Sequence, residues 1–242
     1  MTPDEYLAGL RDNASAFVAA VEGADLDATV PSCPDWKLRD LAVHLGGHYR
    51  WVRGNVGRSQ EDGPQPRAEI GDPPADDAIA GWVGEGAAAL AATLEQTDVD
   101  APCWTFFGPS RAGFWFRRTA HESAMHRWDA QHTVGDADPI GPLAVDGIDE
   151  WLGLLGVIRG DGLARPEPVT VHLHCTDEAG EWLLALGPDG MTVTPEHAKG
   201  DAAVRGTASD LLLLLLGRTS VTDVEVFGDA AVLDGFLAQS SF

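Results

Sequence analysis

The segment HESAMHRWDAQH, His121 to His132, follows an aromatic run, FWFRRTA, and neither Gly nor Pro occurs between Phe114 and Val134. This spacing predicts one uninterrupted helix. Glu122 and His126 lie one turn apart, so their ionisable groups can reach a common point. Thr119 and Asp129 continue the stripe, while Phe114, Trp115, Phe116 and Trp128 supply apolar surface. Two orientations are open. Either the stripe faces water and the aromatics face the core, or the stripe faces inward and holds something.

The inward option has a chemical requirement. A buried carboxylate without a partner costs several kcal/mol, so Glu122 would need a cation or a proton. A divalent metal meets that need: Glu122 and His126 offer two ligands one turn apart, and a histidine from another helix completes a His2Glu set with a position left open, the catalytic type of zinc site. The outward option makes the same residues an exposed pair on a solvent face, and periodicity alone does not choose between them. His121 and His132 lie off the stripe and read as surface or loop-proximal histidines.

Working outward, the N-terminal part reads as helices. Tyr6, Leu7, Leu10, Ala14, Phe17, Val18 and Val21 recur at helical spacing, with Thr2 as N-cap and Pro3 in the first turn. A loop, GADLDATVPSCP, follows. A second helix is expected from Trp36 to about Val56, with Leu38, Leu41, Ala42, Leu45, Tyr49 and Val52 on one side, and it carries His44 and His48. Prolines 64, 66, 73 and 74 make the next stretch a loop. A third helix spans about Asp76 to Gln96, and the fourth carries the opening segment. Four such helices make a bundle, whose core is a usual place for metal sites.

After Pro139 the pattern changes. A helix near Val145 to Ile158 leads into VTVHLHCT, EWLLALG, GMTVTPE and AAVRGT, short alternating segments divided by Gly, Asp and Pro, which read as strands. SDLLLLLLGR is again helical, VTDVEVFG is a strand, and DAAVLDGFLAQ a final helix. The expected organisation is α+β: a helical domain over residues 1–160 and a smaller α+β domain over 161–242.

Composition narrows the partners. The 242 residues carry 16 basic and 38 acidic side chains, a formal net charge of -22, which repels nucleic acid and anionic membranes. The apolar run Leu211 to Leu216 is far shorter than the roughly 20 residues that span a bilayer, and no secretory signal is visible at the start, so the expected location is the cytoplasm. Cys33, Cys103 and Cys175 are widely spaced and form no C-x-x-C, as expected of reduced thiols.

Two motifs carry a family resemblance. PSCPDWKLRDLAVHLGGHYRW resembles the CPGWTVRDLVAHLA-type segment of the mycothiol-dependent maleylpyruvate isomerase family, a branch of the DinB-like four-helix bundles, and HESAMHRWDA resembles that family's E-x-x-x-H helix. WLLALGPDGMTVT and VEVFGDAAVLDGFLA look like the sterol-carrier-like α+β domain that follows the bundle in this family. The resemblance implies a metal ion held by His44, Glu122 and His126. His48 lies nearer the centre of the Leu38/Leu41/Leu45 stripe than His44 does, and it stands as a neighbour able to serve as acid, base or substitute ligand. Further implied are zinc or a similar divalent ion, mycothiol as the low-molecular-weight thiol cofactor of an actinobacterial enzyme, and a small electrophilic substrate. Thiolate addition turns a cis double bond into a rotatable single bond, and expulsion gives the trans product; in related transferases the adduct is kept.

LLLLLLGRTS resembles the family's WLTGR-type segment, with Leu215 and Leu216 in place of Trp-Leu-Thr, and implies Arg218 as the residue that pairs with an acidic substrate. Such a site would use both domains. Asp129 reads either as a carboxylate orienting a metal ligand or as a salt-bridge partner of an arginine. His172 and His174 share one strand face, read as half exposed to water. The competing functions are a non-catalytic metal- or small-ligand-binding protein of the same fold and a metal-assisted hydrolase using water instead of a thiol.

Overall fold

The computed structural model describes residues 1–240. It divides into a compact unit from Met1 to Asp138 and a second from Pro139 onward. The first opens with α1 (Pro3–Val21). Thr2 caps it reciprocally with Glu5: the Glu5 amide donates to Thr2 Oγ1 at 3.3 Å, and the Thr2 amide to Glu5 Oε2 at 2.6 Å. Leu7, Leu10, Ala14, Phe17 and Val21 form its buried stripe. A small antiparallel hairpin, β1 (Thr29–Val30) and β2 (Cys33–Lys37), occupies part of the expected loop. It leads directly into α2 (Leu38–Asn55), which buries Leu38, Leu41, Leu45, Tyr49 and Val52.

The Pro-rich stretch after α2 contains only short 3-10 turns before α3 (Ile79–Glu95). A second short hairpin, β3 (Pro102–Cys103) with β4 (Ser110–Arg111), precedes α4 (Gly113–Val134). α1 packs on α3 and α4, and α2 packs on the same two helices, which closes a four-helix bundle. The two orientations open for α4 are not alternatives. Trp115, Phe116 and Trp128 are buried, and so are Thr119, His126 and Asp129. A helix enclosed on nearly all sides must satisfy its polar groups internally.

The second unit begins with α5 (Ala144–Arg159), which the sequence assigned to the helical domain. Its apolar stripe of Ile148, Trp151, Leu152 and Leu155 is buried, and it packs on α6 (Ala208–Leu215) instead. Trp182 Nε1 also donates to Asp149 Oδ1 at 2.6 Å, tying α5 to the sheet. The division therefore falls before α5, at Pro139, and not near residue 160. The strands are β5 (Val169–Cys175), β6 (Glu181–Gly187), β7 (Gly190–Thr194), β8 (Ala202–Gly206) and β9 (Glu225–Gly228), ordered β7-β6-β5-β8-β9. Only the β5–β8 pairing is parallel. Alternation sends Val171, Leu173, Trp182, Leu184 and Val204 into the core. Thr207 caps α6 by accepting from the Asp210 amide at 3.1 Å, and Leu211 to Leu215 are buried. α7 (Ala230–Ser240) packs on β5 and β8. No helix among the described residues is long and apolar enough to cross a membrane.

Candidate metal centre

The site forms where α2 meets α4, and a buried polar contact sets their register. Ser123 Oγ donates to the Thr119 carbonyl at 2.7 Å, which uses its single hydrogen, so the Tyr49 hydroxyl is the donor across the 2.9 Å contact to Ser123 Oγ. Burial pushes the Tyr49 phenol well above its ordinary value and keeps it protonated. With the helices held in this register, His44 on α2 faces Glu122 and His126 on α4.

Glu122 is the hub. Its Oε1 lies 3.0 Å from His44 Nε2 and 3.2 Å from His126 Nε2, and its Oε2 accepts from Arg118 Nη2 at 2.8 Å. The three ligand-type atoms all fall within 4.8 Å of one another. Behind them, His126 Nδ1 lies 2.9 Å from Asp129 Oδ2, and Asp129 Oδ1 accepts from Ser32 Oγ at 2.6 Å. The Trp36 ring covers one side, its centroid 5.0 Å from that of His44 and 6.5 Å from that of His126.

Opposed environments separate the protonation states here. Burial works to raise the Glu122 pKa, but Arg118 and the hydrogen bonds from His126 and His44 outweigh it and hold the carboxyl well below its usual range. Burial likewise works against charge on His126, yet the Asp129 and Glu122 carboxylates win and raise it to about 9. His48 has no such support: burial pulls it down to about 4, against the attraction of Glu122. Its Nε2 is closed to solvent and makes no hydrogen bond with the described residues.

The expected trio His44, Glu122 and His126 is thus brought together, and His48, one turn further along α2, does not join that group of ligand atoms. Asp129 contacts His126 Nδ1, the geometry that the orienting reading requires. Arg218 lies just after α6 in the second unit, with Nη1 donating to the Leu216 carbonyl at 2.9 Å. His121 is buried, not superficial, with its ring edge-on to Tyr6 at 6.2 Å. His132 is exposed and stacks on Trp128 at 4.7 Å. Arg118, Ser32 and Trp36 were not singled out from sequence. Arg118 had a signal, since it stands four residues before Glu122 on one helix. Ser32 had none, because it reaches Asp129 across 97 residues.

The donor set suits a metal. A tetrahedron with bonds of about 2.0–2.2 Å has edges of roughly 3.3–3.6 Å, so separations of 3.0 and 3.2 Å need only a slight opening. Asp129 occupies Nδ1 of His126 and leaves Nε2 to face the group, the usual arrangement behind a ligating histidine.

The chain thus joins a four-helix bundle, in which two histidines and a glutamate converge, to a unit built on a five-stranded sheet. Residues 7–131 match the family model described as the Mycothiol maleylpyruvate isomerase N-terminal domain, and residues 142–235 match the MDMPI C-terminal domain. The chain belongs to the mycothiol-dependent maleylpyruvate isomerase family. Among solved structures it is similar to the crystal structure of the mycothiol-dependent maleylpyruvate isomerase, with a TM-score of 0.62, 16% identity and 93% of each chain covered. A histidine-to-alanine mutant of that isomerase gives 0.61, 15% and the same coverage. At these identities the likeness establishes the shared fold. No curated protein matches the chain in sequence.

Proposed function

We propose that this protein is a thiol-dependent isomerase or S-transferase acting on a small electrophile, with mycothiol as the thiol. His44, Glu122 and His126 would hold a divalent ion, with zinc the first choice. The observation that carries this reading is the convergence of His44 Nε2 and His126 Nε2 on Glu122 Oε1, in a chain whose two halves both belong to the isomerase family. An ion of this kind, when bound, lowers the pKa of the thiol it holds, and the thiolate is the competent nucleophile.

The protein's own groups prepare that chemistry. Arg118 keeps Glu122 ionised, and Asp129, itself fixed by Ser32, presents Nε2 of His126 to the centre. A proton on His126, together with Arg118, balances the Glu122 and Asp129 carboxylates, and an ion bound through His126 Nε2 would displace that proton. His48 is neutral at physiological pH and offers a hydrogen-bonding group beside the centre without adding charge. Trp36 forms an aromatic wall against which an unsaturated substrate can lie. Arg218 is proposed as the contact for a substrate carboxylate, which a guanidinium fork binds bidentately.

Cobalt substitution tests the reading. A thiolate bound to cobalt gives an intense charge-transfer absorption, and mycothiol should produce it while its S-methylated analogue should not. Absence of the band from a cobalt-loaded sample with saturating mycothiol would instead favour water-based hydrolysis, and absence of metal uptake would leave the fold with a binding role.

A further inference from the structure

The second unit holds another cluster of metal-ligating side chains, unrelated to the family motifs. β5 turns His172 and His174 to the face opposite the Val171/Leu173 core, and the antiparallel register sets Glu181 of β6 directly across from His174. His197 comes from the segment between β7 and β8. Glu181 Oε1 lies 3.0 Å from His174 Nδ1, and Oε2 lies 3.2 Å from His172 Nε2 and 2.6 Å from His197 Nδ1. The four ligand-type atoms fall within 4.8 Å of one another. The expectation that this strand face is half exposed holds for His174 but not for His172, which is buried.

The chain is shaped to bring His197 there. A Cβ on Gly200 would sit 2.5 Å from the Ala202 carbonyl oxygen and 3.0 Å from the His172 amide nitrogen, so only glycine lets the segment lie this close to β5. Beyond it, Asp201 clamps the strand, with Oδ2 accepting from both the Thr170 amide and hydroxyl at 2.8 Å. A solvent-facing ion pair contributes little to stability. Three of the eight histidines around one glutamate, in a chain with 38 acidic residues, is more than a surface ion pair requires.

We propose that His172, His174, Glu181 and His197 form a second metal site, which binds Zn2+ or a neighbouring first-row divalent ion. Three imidazole nitrogens and one carboxylate oxygen suit this class of ion, whereas Ca2+ and Mg2+ prefer oxygen ligands throughout. Four protein ligands close a tetrahedral zinc, so this centre pins the β7–β8 segment to the sheet instead of activating a substrate. Among these ligands only His197 is largely exposed, at 80% of its side chain, and it is the one that the ion would draw in.

Zn2+ titration of the metal-free full-length protein by calorimetry, with Co2+ absorption as a second readout, tests this independently of the bundle site. Glu122→Ala removes the bundle ligand hub, and that variant should still bind one equivalent of Zn2+. Adding His197→Ala should abolish tight uptake, with circular dichroism unchanged, because the exposed side chain carries little of the fold. Glu181→Gln, in the Glu122→Ala background, should have the same effect. Failure of a folded Glu122→Ala protein to bind Zn2+, or equal affinity with and without His197, would overturn the proposal.

Discussion

Both clusters gather histidines around one glutamate, but they are built differently. In the bundle, His44, Glu122 and His126 come from two helices, and the charges have side-chain partners: Arg118 for Glu122, and Asp129, itself held by Ser32, for His126. On the sheet, His172 is buried and His174 and Glu181 are half-buried, while the exposed His197 arrives on an irregular segment. The first cluster is held by partners on α2, α4 and the β1–β2 hairpin, while the second, as proposed, would be completed by the ion it binds. On these proposals, a carboxylate at the centre of the first would support both fold and chemistry, and one at the centre of the second little except binding.

The contrast breaks down if Glu122→Ala is mild. That substitution should remove the bundle metal and the activity together and cost about 1–3 kcal/mol in the metal-free protein, because two histidines and Arg118 lose their shared carboxylate partner. Metal analysis and urea unfolding would check it. Asp129→Asn should weaken metal binding by about 10- to 100-fold while leaving the ligands in place, measurable by competition with a chelator. Arg218→Ala should keep the metal and raise KM for a carboxylate substrate, with kcat lowered too if the guanidinium steadies charge in the transition state. A silent Arg218→Ala would remove that residue from the substrate contacts.

A pH series sharpens the same comparison. In the metal-free protein His126 is raised from 6.5 to about 9, so the stability it contributes is full below about 6.5 and is lost as pH rises through about 9. Unfolding free energies across this window should fall in the wild type and fall less in Asp129→Asn. The smallest effect is expected at the exposed edge of the second cluster, where His197→Ala should leave the thermal midpoint of the metal-free protein unchanged within error.

The parts of this molecule that sequence reveals are the periodic ones. α1, α2 and α4 follow from apolar spacing and the Thr2–Glu5 cap, and β5 to β8 follow from alternation. Within the site, Glu122 and His126 share a helical turn and are legible as a pair, whereas the choice of His44 over His48 as their neighbour rested on resemblance. Periodicity favoured His48, because a helical wheel weighs apolar neighbours and cannot see Tyr49 bonding to Ser123. Ser32 and Arg118 escaped for opposite reasons, one remote in sequence and one too ordinary a spacing to stand out. Sequence alone puts the boundary after α5, because an apolar helix does not announce which core it will join. His197 was overlooked because nothing in an irregular segment marks a residue that folds back over a strand.

The tertiary contacts behind the bundle site have a consequence for how the chain acquires it. Ser32 to Asp129 spans 97 residues, His44 to Glu122 spans 78, and Arg127 to Asn13 spans 114. Closing such long loops is slow compared with forming a helix, so the ligands converge late in folding. A chain still emerging from the ribosome, with α1 to α3 made and α4 unfinished, holds only His44 of the trio and lacks Glu122 and His126. Metal loading at the proposed site would thereby report the docking of α4 and separate a finished bundle from one that has only collapsed.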